Sequence, residues 1–186
     1  MRFPRSEERC GQRKARAQAE SHLAATFNKP DLAIVDHFTY VICGDGCLQE
    51  GISAEACSLA GHLELGRLIV LYDDNKITID GSTDLSFTED VKARYEAYGW
   101  QVLVVADGKD HAAIAAAVAE GQACTDKPTM IKIRTVIGEG CPSKQGSHKV
   151  HGAPLGAEDL ASVKARVGLT PFPKPLLAGW LNRLRW

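Results

Sequence analysis

The sequence predicts an α/β fold, a doubly wound parallel sheet with helices on both faces. Four apolar runs rich in β-branched and aromatic residues carry that expectation: 38–43 (FTYVIC), 67–72 (RLIVLY), 100–105 (WQVLVV) and 129–137 (TMIKIRTVI). They start roughly 30 residues apart, with helix-length segments between most of them. The first three end at Gly44-Asp45-Gly46, Asp73-Asp74-Asn75 and Ala106-Asp107-Gly108, and the fourth ends in Gly138. Near-continuous apolar strands alternating with helices belong to a parallel sheet covered on both sides.

Each intervening element has its own signals. Residues 17–28 (AQAESHLAATFN) read as a helix closed by Asn28 and stopped by Pro30. After the first strand, Ile52, Ala56, Leu59, Ala60 and Leu63 form one apolar stripe at helical spacing. Gly66 is expected to stop that helix in a left-handed C-terminal position. Thr88 is expected to cap the next helix, with Glu89 and Asp90 in its positive first turn, Tyr98 near its end and Gly99 beyond. Asp110 opens an alanine-dense helix running through Cys124, and a final amphipathic segment, 157–168, follows Gly156. The stretch TPFPKPLLAGWLNRLRW after it has three prolines and reads as a tail outside the repeat.

Composition narrows the function classes. The chain has 186 residues, 45% of them hydrophobic, which suits one domain or little more. No apolar run approaches the roughly 20 residues of a membrane-spanning helix. The formal charge is −1 and aromatics make up only 6%, so neither a nucleic acid nor a membrane surface is expected as a partner. That charge is a cancellation: residues 1–16 carry +4, residues 171–186 carry +3, and the body between them is acidic at −8. The first 16 residues lack the apolar core of a secretory signal and, with Glu7 and Glu8, the acid-poor character of a transit peptide. The six cysteines form no C-x-x-C pair, so buried free thiols in a reducing, cytoplasmic compartment are expected. Cys141, His148 and His151 match no standard zinc spacing.

In an open parallel sheet, ligands bind outside the carboxyl ends of the strands. Glycines at 44 and 46 let a ligand approach the backbone, and the N–H groups at the mouth of the next helix suit a phosphate. Asp45 between them would repel a phosphate unless a cation intervened, and Mg²⁺ or Ca²⁺ takes oxygen ligands from both sides. Asn75, at the neighbouring strand end, can add a neutral carbonyl oxygen, whereas Lys76 is unsuited to ligation. The alternative is a plain tight turn in which the aspartate only caps a helix. A dinucleotide fingerprint is missing, since G-D-G-C-L-Q has Gln where a third glycine belongs, and there is no G-x-x-x-x-G-K-[ST] loop.

GDG followed about 30 residues later by Asn resembles the motif that holds a metal ion and thiamine diphosphate in enzymes that use this cofactor. GDGCLQEGISAEACSLAGHLELGRLIVLYDDNKITIDGST, FTEDVKARYEAYGW, DKPTMIKIRTVIGEG and SHKVHGAPLG, in that order, closely resemble transketolase in its fungal-type form. The resemblance implies that Asp45 and Asn75 ligate the divalent cation (Mg²⁺ or Ca²⁺) by side chain and Ile77 by its backbone carbonyl. It implies that Gly46 and Asn75 touch the diphosphate of thiamine diphosphate. It places His151 near that diphosphate and the substrate, where an imidazole donates to phosphate or moves a proton from a sugar hydroxyl. Glu50 matches a glutamate of a carboxylate network between subunits. The implied activity is transfer of a two-carbon ketol unit from a ketose phosphate to an aldose phosphate, in the pentose phosphate pathway and in a homodimer. The cofactor carries the covalent chemistry.

The resemblance covers about four-fifths of the chain and only the later part of the family's first domain. Residues 1–16 are expected as an unrelated or disordered leader, 17–168 as a partial diphosphate-binding domain and 169–186 as a divergent tail. The upstream segment, the pyrimidine-binding domain and its activating glutamate have no counterpart, so an inactive fragment is expected of this chain by itself. The alternatives are a dihydroxyacetone synthase-type transketolase and a non-catalytic fragment without cofactor binding. Deoxyxylulose-phosphate synthase fits the GDG–Asn pair but not the SHKVHGAPLG loop.

Overall fold

A computed structural model describes residues 6–166 and residue 168 of the chain; the expected tail, 169–186, lies outside the described residues. The chain divides into two compact units, residues 1–136 and 137–186.

The first unit is built on four parallel strands: β1 (Thr39–Gly44), β2 (Leu68–Asp74), β3 (Gln101–Val105) and β4 (Thr129–Arg134). The four apolar runs of the sequence are these strands. Their order in the sheet is β1-β2-β4-β3. The helices are α1 (Ser6–Phe27), α2 (Asp45–Gln49), α3 (Gly51–His62), α4 (Val91–Ala97) and α5 (His111–Ala123). Chain direction and strand order dictate which face each helix covers. The steps β1→β2 and β2→β3 move the same way across the sheet, whereas β3→β4 turns back. Right-handed crossovers then put α3 and α4 on one face and α5 on the other.

The two cores follow that division. Val41, Cys43, Leu68, Val70, Tyr72 and Met130 pack with Ala17 of α1, Leu48 of α2, Cys57 and Ala60 of α3, and Tyr95 of α4. Ile69, Ile131, Ile133 and Val105 pack on the opposite face with Ala113, Ile114, Ala117 and Val118 of α5. Both faces are therefore covered, as expected from the sequence. On the α5 side of edge strand β1, Gln122 of α5 donates to the Tyr40 hydroxyl at 2.7 Å, while Ile42 is left 75% exposed.

Several local expectations change. The helix expected over 17–28 begins at Ser6. Of the stripe expected for α3 only Ala60 is buried in the core: Ile52, Leu59 and, just beyond the helix, Leu63 are exposed, while Ser53, Cys57 and Gly61 are buried beside Ala60. The cause is closeness. A Cβ on Gly61 would lie 1.8 Å from the Tyr98 carbonyl oxygen, so only a face of small side chains fits there. Gly66 is not left-handed; Glu64 holds that conformation at φ 51°, and Gly66 serves instead where the Thr125 backbone would be 2.1 Å from a Cβ. The cap of α4 is Asp90, not Thr88, with its carboxylate accepting from the Ala93 N–H at 3.1 Å. Asp110 caps α5 as expected, accepting from the Ala113 N–H at 2.9 Å. Cys43, Cys47, Cys57, Cys124 and Cys141 form no disulfide, and all of them but Cys124 are buried.

The second unit contains a glycine-rich turn region, a short 3-10 turn at His148–Val150 and helix α6 (Ala157–Arg166). Lys144 joins its parts: the ammonium lies 2.9 Å from Asp159 Oδ2 and donates to the Leu155 carbonyl at 2.5 Å. The Ser143 hydroxyl also donates to Asp159, at 2.7 Å, and with Lys144 it holds that carboxyl below its ordinary range.

Candidate functional site

Strands β1 and β2 are paired in parallel register from Thr39↔Leu68 to Gly44↔Asp73, so their carboxyl ends finish side by side. Asp45 follows Gly44 immediately, at the start of α2. Its side chain is 2% exposed and reaches sideways rather than capping its own helix. The Tyr72 hydroxyl donates to Asp45 Oδ1 at 2.6 Å, and the Lys76 backbone N–H donates to Oδ2 at 3.0 Å. Burial pushes the Asp45 carboxyl above the ordinary carboxylate range. The Tyr72 hydrogen bond opposes that shift, and the Asp74 charge reinforces it. Burial pushes the Tyr72 phenol up as well, with its hydrogen bond to Asp45 adding to the effect, so it stays protonated and remains a donor.

The chain leaves β2 through a tight loop. Lys76 is in the left-handed region at φ 62°, uncommon for a residue with a side chain. This turn aims its N–H at Asp45. The Asn75 amide is held at both ends: Nδ2 donates to Asp73 Oδ2 at 3.0 Å, and Oδ1 accepts from the Ile77 N–H at 2.9 Å. A small hairpin follows, in which Thr78 N–H donates to the Gly81 carbonyl at 2.7 Å and Thr83 N–H to the Lys76 carbonyl at 3.0 Å. These two bonds flank Ile77 and, among the described residues, leave its own carbonyl outside the backbone ladder.

Asp74 sits behind this cluster, 3% exposed. Its charge is met by Lys76 Nζ at 3.2 Å, Lys132 Nζ at 3.5 Å and Arg134 Nη1 at 3.9 Å. Arg134 also donates to the Asp74 carbonyl at 2.8 Å. Asp74 is thus met directly by cationic side chains while the donors at the Asp45 oxygens are neutral, although both are buried carboxylates on adjoining strand ends.

The structure brings three of the expected site residues together, since the Lys76 N–H bond docks Asp45 against the Asn75–Ile77 loop. A carboxylate, an amide oxygen and a backbone carbonyl are hard oxygen donors, the set that Mg²⁺ or Ca²⁺ takes. A buried carboxylate with a raised pKa, supplied only with neutral donors at its two oxygens, is a place where a dication fits. Gly46 lies beside Asp45 in the first turn of α2, and a Cβ placed on it would meet nothing within 4 Å. Open space therefore stands over its backbone, where the diphosphate is expected. Glu50 is exposed at the junction of α2 and α3, and no hydrogen bond among the described residues joins it to Asp45. His151 belongs to the second unit, where it is exposed and ends the 3-10 turn with its N–H donating to the His148 carbonyl at 2.9 Å.

Sequence reasoning passed over Tyr72, Asp73, Asp74 and the Lys76 N–H. One signal was present: the apolar run of β2 ends in a tyrosine, and a buried phenol needs a partner for its hydroxyl.

Comparison with known proteins gives this site its family. The family described as "Transketolase, thiamine diphosphate binding domain" matches residues 11–177. The chain is 59% identical over 162 residues to the transketolase of Nostoc sp., covering 86% of this chain and 24% of that protein. It is equally 59% identical over 156 residues to transketolase 1 of Saccharomyces cerevisiae, covering 83% of this chain and 23% of that one. Among solved structures, transketolase from Leishmania mexicana superposes with a TM-score of 0.86 at 53% identity, over 92% of this chain and 26% of its own. The Pichia stipitis enzyme in complex with sedoheptulose 7-phosphate gives 0.85 at 48% identity, over 96% of this chain and 27% of its own. The chain spans about a quarter of the length of these relatives. It belongs to the transketolase family, as a part of the N-terminal thiamine diphosphate-binding domain.

Proposed function

We propose that Asp45, Asn75 and the Ile77 carbonyl hold a divalent cation, Mg²⁺ or Ca²⁺, that fastens the diphosphate of thiamine diphosphate over Gly46. The observation that carries this reading is the 3.0 Å bond from the Lys76 N–H to Asp45 Oδ2, which sets a buried carboxylate beside an amide and a backbone carbonyl. When bound, thiamine diphosphate supplies the covalent chemistry that carries a two-carbon unit. The chain's own residues bind and orient. Asp45 neutralises cation charge, Asn75 and Ile77 add neutral oxygens, and Gly46 admits the diphosphate. His151 donates to phosphate or moves a proton from a sugar hydroxyl. Glu50 belongs to a carboxylate network shared with a second subunit.

The whole protein, in this reading, is a cytoplasmic homodimer that transfers ketol units between sugar phosphates. The sugar phosphate complex of the Pichia stipitis relative supports the substrate class. The exposed apolar side chains Ile52 and Leu59 of α3 and Leu63 just beyond it support burial against a further protein surface. The transketolase names of the relatives favour this activity over dihydroxyacetone synthesis. Thermal unfolding of the 186-residue chain tests the binding reading. Thiamine diphosphate and Mg²⁺ together should raise the midpoint, and each alone should do so much less. At ten times the dissociation constant the linkage is worth about 1.4 kcal/mol. Equal shifts with and without the cation would contradict it.

A further inference from the structure

We propose that Tyr72 and Asp73 are positioning residues, which fix the oxygens that Asp45 and Asn75 present to the cation. This rests on the cation reading given above. Successive residues of a strand point to opposite faces, so neighbours at the end of β2 can serve different partners. Tyr72 turns toward Asp45, and Asp73 reaches Asn75.

The Tyr72 ring is fully buried in the core with Val41, Cys43 and Leu48, so packing sets where its hydroxyl lies. A phenol donates one proton. It lies 2.6 Å from Asp45 Oδ1 and 3.3 Å from Asp74 Oδ1, and the shorter contact takes it. Asp74 does not compete, because Lys76, Lys132 and Arg134 already meet its charge. Asp45 is therefore locked with one oxygen on Tyr72 and the other on the Lys76 N–H.

Asp73 works through a different property. A carboxylate only accepts, so Asn75 must turn its Nδ2 toward Asp73 and its Oδ1 away. The amide has no second orientation of equal quality, and its oxygen faces the loop that carries Ile77. The Thr135 hydroxyl donates to the other oxygen of Asp73 and holds that carboxylate in turn. Outer contacts of this kind to a metal ligand are typically worth about 10- to 100-fold in affinity.

The test measures Mn²⁺ affinity of the whole 186-residue chain by water-proton relaxation, with thiamine diphosphate present. Each variant's urea unfolding is followed without ligand. Tyr72→Phe and Asp73→Asn should each weaken Mn²⁺ binding by about 10- to 100-fold, and Thr135→Val by several-fold. Tyr95→Phe is the control, a buried phenol paired with Cys57 at 3.0 Å, and should leave Mn²⁺ affinity unchanged. Asp73 is half-buried and its substitution keeps its shape, so it tests the proposal even where Tyr72→Phe fails to fold. If Asp45→Ala abolishes binding while Tyr72→Phe and Asp73→Asn bind as wild type, the positioning role is overturned and the cation site stands. If wild type binds no Mn²⁺, or Asp45→Ala binds it equally, the cation site fails and the positioning role fails with it.

Discussion

Lys76 donates its backbone N–H to Asp45 Oδ2 from a left-handed conformation, at φ 62° and a distance of 3.0 Å. The residue whose side chain is unsuited to ligation thus makes the bond that docks the two halves of the candidate site. Strained backbone at such a place costs of order 1 kcal/mol and persists because its neighbours hold it there.

That strain predicts an ordering among substitutions at position 76. Lys76→Gly accepts the left-handed backbone freely, losing only a partly exposed ion pair with Asp74. Lys76→Val crowds it with a β-branched side chain. The valine variant should be less stable than the glycine variant by about 1–3 kcal/mol in urea unfolding. Equal midpoints would show that the turn stores no strain.

Two glycines separate binding from folding. Gly46→Ala meets nothing within 4 Å and gains helix propensity, so the ligand-free chain should be as stable as wild type or up to about 1 kcal/mol more so. Its added methyl occupies the space expected for the diphosphate, and cation-dependent binding of thiamine diphosphate should fall at least about tenfold. Gly61→Ala puts a Cβ 1.8 Å from the Tyr98 carbonyl oxygen and should cost about 3 kcal/mol or more. Chemical unfolding and calorimetry of the two variants check both halves.

The buried Asp45 gives a pH dependence of known sign. Its folded-state pKa lies above the ordinary 3.8, so the folded chain binds more protons than the unfolded chain between the two values. Stability from this group is therefore greatest at low pH and declines as pH rises through the folded pKa. Without ligand, Asp45→Asn should be more stable than wild type at pH 7, and the difference should vanish below pH 3.8. A destabilised Asp45→Asn at pH 7 would mean that the carboxylate is not penalised by burial. Cation affinity should move the other way, falling sharply in the same variant.

Ketol transfer by the 186-residue chain is the outcome expected not to occur. Assayed with xylulose 5-phosphate as donor and ribose 5-phosphate as acceptor, it should give no turnover, because about three-quarters of the length of its relatives is not represented. Turnover above background would overturn the expectation that the chain is an incomplete catalyst. Supplying the remaining segments in trans should restore activity, and His151→Ala should then reduce it.

Much of the fold was legible because its signals are local. The strands of RLIVLY and WQVLVV begin and end within a residue or two of their apolar runs. Asp110 capped the expected helix, whereas at α4 the cap is Asp90, which was expected in the first turn after Thr88. The face of α3 was legible only at Ala60. Its large apolar residues advertise a stripe, but the helix approaches the Tyr98 backbone so closely that small residues take the contact. Chemistry at strand ends singled out Asp45 and Asn75, since a carboxylate between glycines calls for a cation. The contacts that hold them stayed hidden, because Tyr72–Asp45 and Thr135–Asp73 join residues far apart in sequence that only sheet register brings together.

Calorimetric titration of thiamine diphosphate into the 186-residue chain, with Mg²⁺ and with a chelator, is the most direct measurement of the central claim. The expected result is weak binding that requires the cation and disappears in Asp45→Ala. Binding that persists undiminished in the chelator, or in Asp45→Ala, would contradict the assignment of Asp45, Asn75 and Ile77 as the cation's ligands.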